Sequence, residues 1–362
     1  AQGRSELLLE KNWKFTREDN NEFIKPAFDD SKWQSVTVPH DWAIYGPFSS
    51  LNDKQEVAIS QDGQKEAMEH AGRTGGLPFV GVGWYRTEFD VPQFQAGKRA
   101  TILFDGAMSH ANVYINGQKV GYWPYGYNSF HFDITKYLKP GEKNTLAVRL
   151  ENLPESSRWY PGAGLYRNVH LIITEDAYIP VWGTYITTPS VNEKFAKVNV
   201  RTKVVLPEGA DPAKYSMETS VWNPNKQKLT AVRTSLAQMK YNNNQAEQEF
   251  VIQAPSLWSP EMPALYSAET RLYEGDKLKD IYTTPFGIRS IEIIPDKGFF
   301  LNGKRTVFKG VCNHHDLGPL GAAVNDAAIR RQIRILKDMG CNAIRTSHNM
   351  PAPELIRACV EM

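Results

Sequence analysis

Residues 299–321 read FFLNGKRTVFKGVCNHHDLGPLG, and residues 341–355 read CNAIRTSHNMPAPEL. Asn302-Gly303 between two apolar runs is a strong short hairpin signal, because a tight two-residue turn needs positive φ at both central positions. Residues 306–312 have the β-branched and apolar make-up of a buried strand. That run ends in Asn313, His314, His315 and Asp316, ahead of a Gly/Pro loop. A helix follows. Asn325 caps it, Ile329, Ile333 and Leu336 fall on one face, and Gly340 stands where a C′ glycine belongs. Residues 341–345 form a second short buried strand that delivers Arg345, Ser347 and His348, and Pro353 opens another helix at its first turn. Strand, helix, strand, helix, with polar residues after each strand, is the start of a parallel β/α system. In closed barrels of that kind the C-terminal strand ends carry the active site, so His314, Arg345 and His348 are expected to face one pocket.

Upstream the pattern changes. Residues 1–177 alternate apolar and polar in short runs such as 100–104, 111–115 and 144–150, with a second hairpin turn at Asn116-Gly117. Short strands at regular spacing predict a β-sandwich. Residues 52–76 are polar and patternless, and read as a long loop or short helix over the surface. Residues 178–287 carry candidate strands at 198–206, 218–222, 229–236, 246–252 and 266–273, which suggests an immunoglobulin-like sandwich. The fold is therefore mainly β: two sandwiches, then the first two β/α units of a barrel in residues 288–362.

Forty-two basic and 40 acidic residues are mixed along the chain for a net charge of +2, so no basic block points to nucleic acid. No apolar run approaches the ~18 residues of a membrane span. Three cysteines, Cys312, Cys341 and Cys359, lack CxxC spacing and read as small buried residues. Asn313-His314-His315-Asp316 could suggest zinc but lacks helical i, i+4 ligand spacing, so no metal is expected there. The chain begins Ala-Gln-Gly-Arg, without an initiator Met or a signal h-region. That start fits a mature protein whose leader has been removed, and export to the periplasm or outside the cell is the expectation.

GVCNHHD and NAIRTSHNMPAPEL together resemble the opening of the catalytic barrel of glycoside hydrolase family 2, the family of the large β-galactosidases, β-glucuronidases and β-mannosidases. Cys312 replaces a common Asn of the first motif, while His314 keeps the histidine place. The first sandwich is similar to the family's sugar-binding jelly roll through VPHDW at 38–42, GVGWYRTEF at 81–89, DGAMSHANVYINGQKVG at 105–121, GYNSFHFDIT at 126–135 and SRWYPGAGLYRNV at 157–169. LWSPEMPALY at 257–266 resembles a loop of the family's second domain, and PFGIRSIEI its hinge into the barrel.

The resemblance implies a retaining exo-β-glycosidase, first a β-galactosidase because of the form of TSHNMPAPEL, with β-glucuronidase and then β-mannosidase as alternatives. Retaining hydrolysis needs two carboxyl groups about 5–5.5 Å apart. The family supplies two glutamates from later barrel strands, both expected after Met362, so this chain alone is expected to be inactive. Glu151, Glu354 and Glu361 are weighed as substitutes and set aside, since two lie within a helix pattern and Glu151 has no obvious carboxylate partner. His314 and His348 resemble residues that contact the sugar, and Arg345 one that orients a catalytic glutamate. Asn152 matches roughly a position that binds a sugar hydroxyl, and Arg158, Trp159 and Tyr160 are candidates for the pocket rim or, equally, for interdomain packing. Residues 75–79 are expected near the site, His315 and Asp316 in support, Asp41 in a structural role and Trp42 in the core. No cofactor is expected within these residues; the magnesium and sodium used by the large galactosidases would be held mostly by later ones. The expected partner is a carbohydrate, and a homo-oligomer stays open. A non-catalytic carbohydrate-binding or scaffolding protein is the alternative from another class, but it gives no reason for the β/α segment. That segment should expose apolar surface that further β/α units normally cover, and is expected to be loosely held, to self-associate, or to pack on the second sandwich.

Overall fold

Alternation builds the first sandwich. Arg99–Phe104 buries every second side chain, as does Ala111–Ile115, so each presents one face to a common core. The computed structural model describes residues 3–71, 78–91, 97–238 and 244–362. Its first sheet runs in the order Ser5–Leu8, Val169–Thr174, Arg99–Phe104 and Phe130–Asp133. The facing sheet has six strands, Gln34–Val36, Trp13–Thr16, Gly81–Asp90, Lys143–Asn152, Ala111–Ile115 and Gln118–Trp123. Trp13, Trp42, Tyr85, Ile102, Phe104 and Leu146 are fully buried between them. Residues 52–76 correct the loop-or-helix reading. Lys54–Val57 pairs antiparallel with Met68–Ala71 in a two-stranded ribbon around a 3-10 turn at Ser60–Asp62. In Lys54–Val57 only Gln55 is buried, and it is polar, so the strand shows no apolar alternation to read.

The second sandwich sets Thr184–Val191, Phe195–Lys203 and Gln245–Gln253 against Lys228–Ser235, Tyr215–Trp222, Tyr266–Glu274 and Lys277–Phe286. Five of these seven overlap the strands expected from sequence. The two that do not are Thr184–Val191, which is interrupted by Pro189 and a register shift, and Lys277–Phe286, which begins with charged residues. The buried Lys279 and Asp280 there are paired, with Asp176 at 2.6 Å and Arg4 at 2.9 Å. Such long-range compensation is invisible to a local pattern.

In the last segment the Asn302-Gly303 turn has φ of 52° and 77°, as the hairpin reading requires. The first parallel strand is shorter than expected, Gly310–Asn313, since residues 306–309 run outside it with Val307 and Phe308 more than half exposed. It pairs in parallel with Ala343–Thr346. The helix Asp326–Asp338 starts at Asn325, whose side chain accepts from the amide of Ala328, and buries Ile329 and Ile333. The helix Pro353–Glu361 packs against it through Ala358. The segment leans on both sandwiches. Trp258 Nε1 donates to the carbonyl of Val360 at 2.8 Å and Lys337 Nζ to that of Pro260 at 3.1 Å, while Asn168 Nδ2 donates to Glu354 Oε1 at 2.8 Å. Among the described residues no helix is long and apolar enough to cross a membrane.

Candidate active site

Two parallel strands in register release their following residues side by side. Gly310 stands opposite Ala343 and Asn313 opposite Thr346. A Cβ on Gly310 would lie 2.1 Å from the carbonyl oxygen of Ala343, so this close approach requires glycine. His314 and His348 leave the same edge, and their rings meet perpendicularly with centroids 5.9 Å apart. Both are exposed. Trp159, from the jelly-roll loop after Lys143–Asn152, closes the group with centroids 5.7 Å from His314 and 5.5 Å from His348. The indole is anchored from behind, Nε1 donating to Tyr127 Oη at 2.9 Å, and its backbone is tied to Ser157 Oγ. An aromatic face beside two imidazoles can stack on the C–H face of a sugar while the ring nitrogens hydrogen-bond its hydroxyls.

Asp41 fixes the loop that carries Trp159 to the barrel segment. Its carboxylate is 1% exposed and accepts four hydrogen bonds. Oδ1 takes the amides of Ala43 at 2.9 Å and Ala163 at 3.1 Å; Oδ2 takes the Tyr160 hydroxyl at 2.5 Å and the amide of Ala322 at 2.9 Å. Burial raises the Asp41 pKa, opposed by these four donors. Tyr160 is thus a joint between domains, half-buried, with its hydroxyl spent on Asp41. His315 is a second joint. Nε2 donates to the carbonyl of Pro161 at 2.8 Å, its ring lies edge-on to Tyr127 at 5.0 Å, and burial holds its pKa down to about 4.

The remaining candidates make other contacts. Arg345 is exposed, its Nη1 3.6 Å from Cys312 Sγ, and that guanidinium is the largest cause lowering the thiol pKa. Arg158 is exposed and lines an open groove with Gln55, Glu56, Glu155 and Trp159. Asn152 is 3% exposed at the end of its strand, opposite Gly81, and offers almost no surface to a ligand. Of residues 75–79, 75–77 lie outside the described residues, and the ring of Phe79 lies under the Arg17 guanidinium.

The three glutamates weighed as substitutes are engaged separately: Glu151 with Arg149, Glu361 with Arg330, and the buried Glu354 with Asn168. Among the described residues no group of three or more His, Cys, Asp or Glu could hold a metal. Sequence reading gave no role to Tyr127 or Arg167. Arg167 is 1% exposed; Nη1 donates to the carbonyls of Asp105 and Tyr127, and Nη2 to that of Met350 beside the His348 loop. An arginine inside the apolar run GLYRNV was the available signal, because a buried guanidinium needs several acceptors.

Comparison with known proteins matches three family domains along the chain. The family models for glycosyl hydrolases family 2 match the sugar binding domain at residues 8–175, the central domain at 178–289 and the TIM barrel domain at 292–362. The chain is 42% identical over 352 residues to "Beta-galactosidase BoGH2A" of Bacteroides ovatus, covering 97% of this chain and 39% of that protein. It is 36% identical to a "Putative beta-glucuronidase" of Formosa agariphila, covering 99% of this chain and 32% of that one. A crystal structure of a glycosyl hydrolase family 2 member from Bacteroides cellulosilyticus superposes with a TM-score of 0.86 at 35% identity, over 98% of this chain and 44% of that one. The chain therefore spans well under half the length of these relatives. Two sandwiches in this order, a parallel β/α segment and three matching family domains lead to one conclusion: the chain belongs to glycosyl hydrolase family 2.

Proposed function

We propose that these residues form the sugar-recognition face of a retaining exo-β-glycosidase, first a β-galactosidase, with a terminal β-linked sugar lying against Trp159, His314 and His348. The observation that carries the reading is the convergence of those three rings from two domains at the C-terminal edge of the parallel strands. The Bacteroides ovatus galactosidase relative supports the sugar; the glucuronidase relative keeps β-glucuronide as the second candidate. Catalysis needs a carboxyl pair, and Glu151, Glu354 and Glu361 are each bound elsewhere, so the acid and the nucleophile would come from residues after Met362. Arg345 would then orient one of them, its guanidinium being exposed at the strand edge.

The test is hydrolysis of aryl β-D-galactoside and aryl β-D-glucuronide by the 362-residue chain and by a form extended through a complete barrel. Turnover is expected only from the extended form, faster on the galactoside. Turnover by the 362-residue chain would reopen Glu151, Glu354 and Glu361 as catalytic groups. Faster turnover on the glucuronide would reassign the sugar.

A further inference from the structure

Beside the histidine edge lies a small cavity of about 40 Å³ whose lining is mostly apolar, between Tyr166 and Arg167 of the jelly roll and His315, Ser347, Asn349 and Leu355 of the barrel segment. Four of these residues bring buried polar atoms that make no hydrogen bond: Arg167 Nε, His315 Nδ1, Ser347 Oγ and Asn349 Nδ2. Arg167 and Ser347 are 1% and 3% exposed, so bulk water does not reach them. Four such atoms around one void are unusual, because each unsatisfied buried group costs about 1–3 kcal/mol.

The donor and acceptor inventory defines what fits. His315 Nε2 donates to the carbonyl of Pro161, which makes the neutral ring's Nδ1 a bare acceptor. Burial holds that ring neutral, its pKa near 4. Arg167 Nε and Asn349 Nδ2 only donate, and Ser347 Oγ does both. A ligand must therefore accept at one end and donate at the other. The Arg167 charge disfavours a cation, and the Nδ1 lone pair disfavours an anion. Water meets all four demands, and at about 10–15 Å³ per molecule the cavity has room for about three.

We propose that this cavity binds a cluster of about three ordered waters that ties Arg167 of the jelly roll to the two loops bearing His314 and His348. His315 neighbours His314, and Ser347 and Asn349 flank His348. The direct contact of Arg167 Nη2 with the carbonyl of Met350 runs alongside. The waters, with Arg167 and His315 as positioning residues, set the spacing of the two exposed imidazoles. This builds on the sugar-recognition reading, yet the cluster itself needs no sugar to be detected.

The experiment is a high-resolution crystal structure of the 362-residue chain, with a second crystal soaked in bromide. Expected is water within hydrogen-bond distance of His315 Nδ1 and Arg167 Nε, and no anomalous bromide signal there. A dry void, direct bonds among the four atoms, or a bromide would overturn the proposal. In solution, water-oxygen relaxation dispersion counts long-lived internal waters, and the double variant Ser347→Val/Asn349→Leu should lose about three of them. Its His314 and His348 ring resonances should broaden or shift, while the jelly-roll resonances stay in place. Retained waters would refute the site, and lost waters with unmoved imidazole resonances would refute the positioning role. If instead the proposed sugar specificity fails, aryl galactoside turnover by the extended form fails while the waters remain.

Discussion

Asp41→Ala should be among the most damaging single changes in this chain. The alanine leaves three buried amides, Ala43, Ala163 and Ala322, and the Tyr160 hydroxyl without an acceptor. Hydrogen bonds to a charged group contribute about 1.5–3 kcal/mol each, which over four donors gives an upper bound near 6–12 kcal/mol. Removing a carboxylate that is 1% exposed also relieves its desolvation, the same burial that raises its pKa. Breaking one side of a buried charged network typically costs about 3–5 kcal/mol after that offset, and this is the range expected here. Asp41→Asn keeps the shape but turns one oxygen into a donor facing two donors, so about half of the loss should follow. Tyr160→Phe removes one donor and should cost about 1–2 kcal/mol. Several domains unfold here, so a single global midpoint is ambiguous. Hydrogen exchange at the amides of Ala43, Ala163 and Ala322, read alongside urea unfolding, localises the effect. The three variants should rank Ala, Asn, then Tyr160→Phe, with all three amides losing protection in Asp41→Ala. A loss under about 1 kcal/mol with those amides still protected would refute the reading that Asp41 joins jelly roll to barrel segment.

Two further outcomes follow from the same joint. His40 and His315 are both held near pKa 4 by burial, against an unfolded value of about 6.5. Between about pH 6.5 and 4 the unfolded chain binds more protons, so stability should fall as pH falls through this window, by up to about 2–3 kcal/mol for each histidine. His170 works the other way: burial lowers its pKa, but the hydrogen bond and charge of Asp105 outweigh that and raise it, so its contribution fades as pH rises. Urea midpoints at pH 7 and pH 5 measure the sum, and a higher midpoint at pH 5 would contradict the assignment of two buried neutral histidines. Gly162→Ala should weaken docking of the barrel segment, because φ at Gly162 is 72° and a Cβ there would meet the Ala322 Cβ at 2.4 Å. A loss of about 1–3 kcal/mol, with exchange increased at Ala322 and not in the second sandwich, is expected. An unchanged exchange rate at Ala322 would mean that the joint tolerates the methyl group.

What was legible in the sequence is what local chemistry encodes. The Asn302-Gly303 turn, the Asn325 cap, the Ile329/Ile333 face and Pro353 at the start of the last helix each depend on residues within one or two turns of each other, and each is where the pattern put it. His314 and His348 could be placed on one edge because a parallel pair fixes its register, Asn313 opposite Thr346. The ribbon Lys54–Val57/Met68–Ala71 was not legible, because the buried residue of its first strand is the polar Gln55, which removes the apolar period on which strand reading depends. Strand length also misled, since an apolar run such as residues 306–312 says that the side chains are apolar and not that the backbone is paired.

The site itself was half legible, and the division follows chain separation. Strand order within the barrel segment brought two histidines together, but the third ring arrives from a loop more than 150 positions upstream, in a chain where nothing local to Trp159 names His314. That approach is fixed by Asp41 reaching Ala322, His315 reaching Pro161 and Arg167 reaching Met350. These three contacts are polar, one buried and two part-buried, and they cross between domains. A buried polar group is costly unless its partner is in place, so such contacts tolerate few alternative arrangements, whereas apolar packing tolerates many. The jelly roll therefore acts on the histidine edge as a template whose precision lies in a few directional bonds. Its own β-alternation builds the scaffold but carries no information about those bonds, which is why the sandwich could be read from sequence and the bonds of the joint could not.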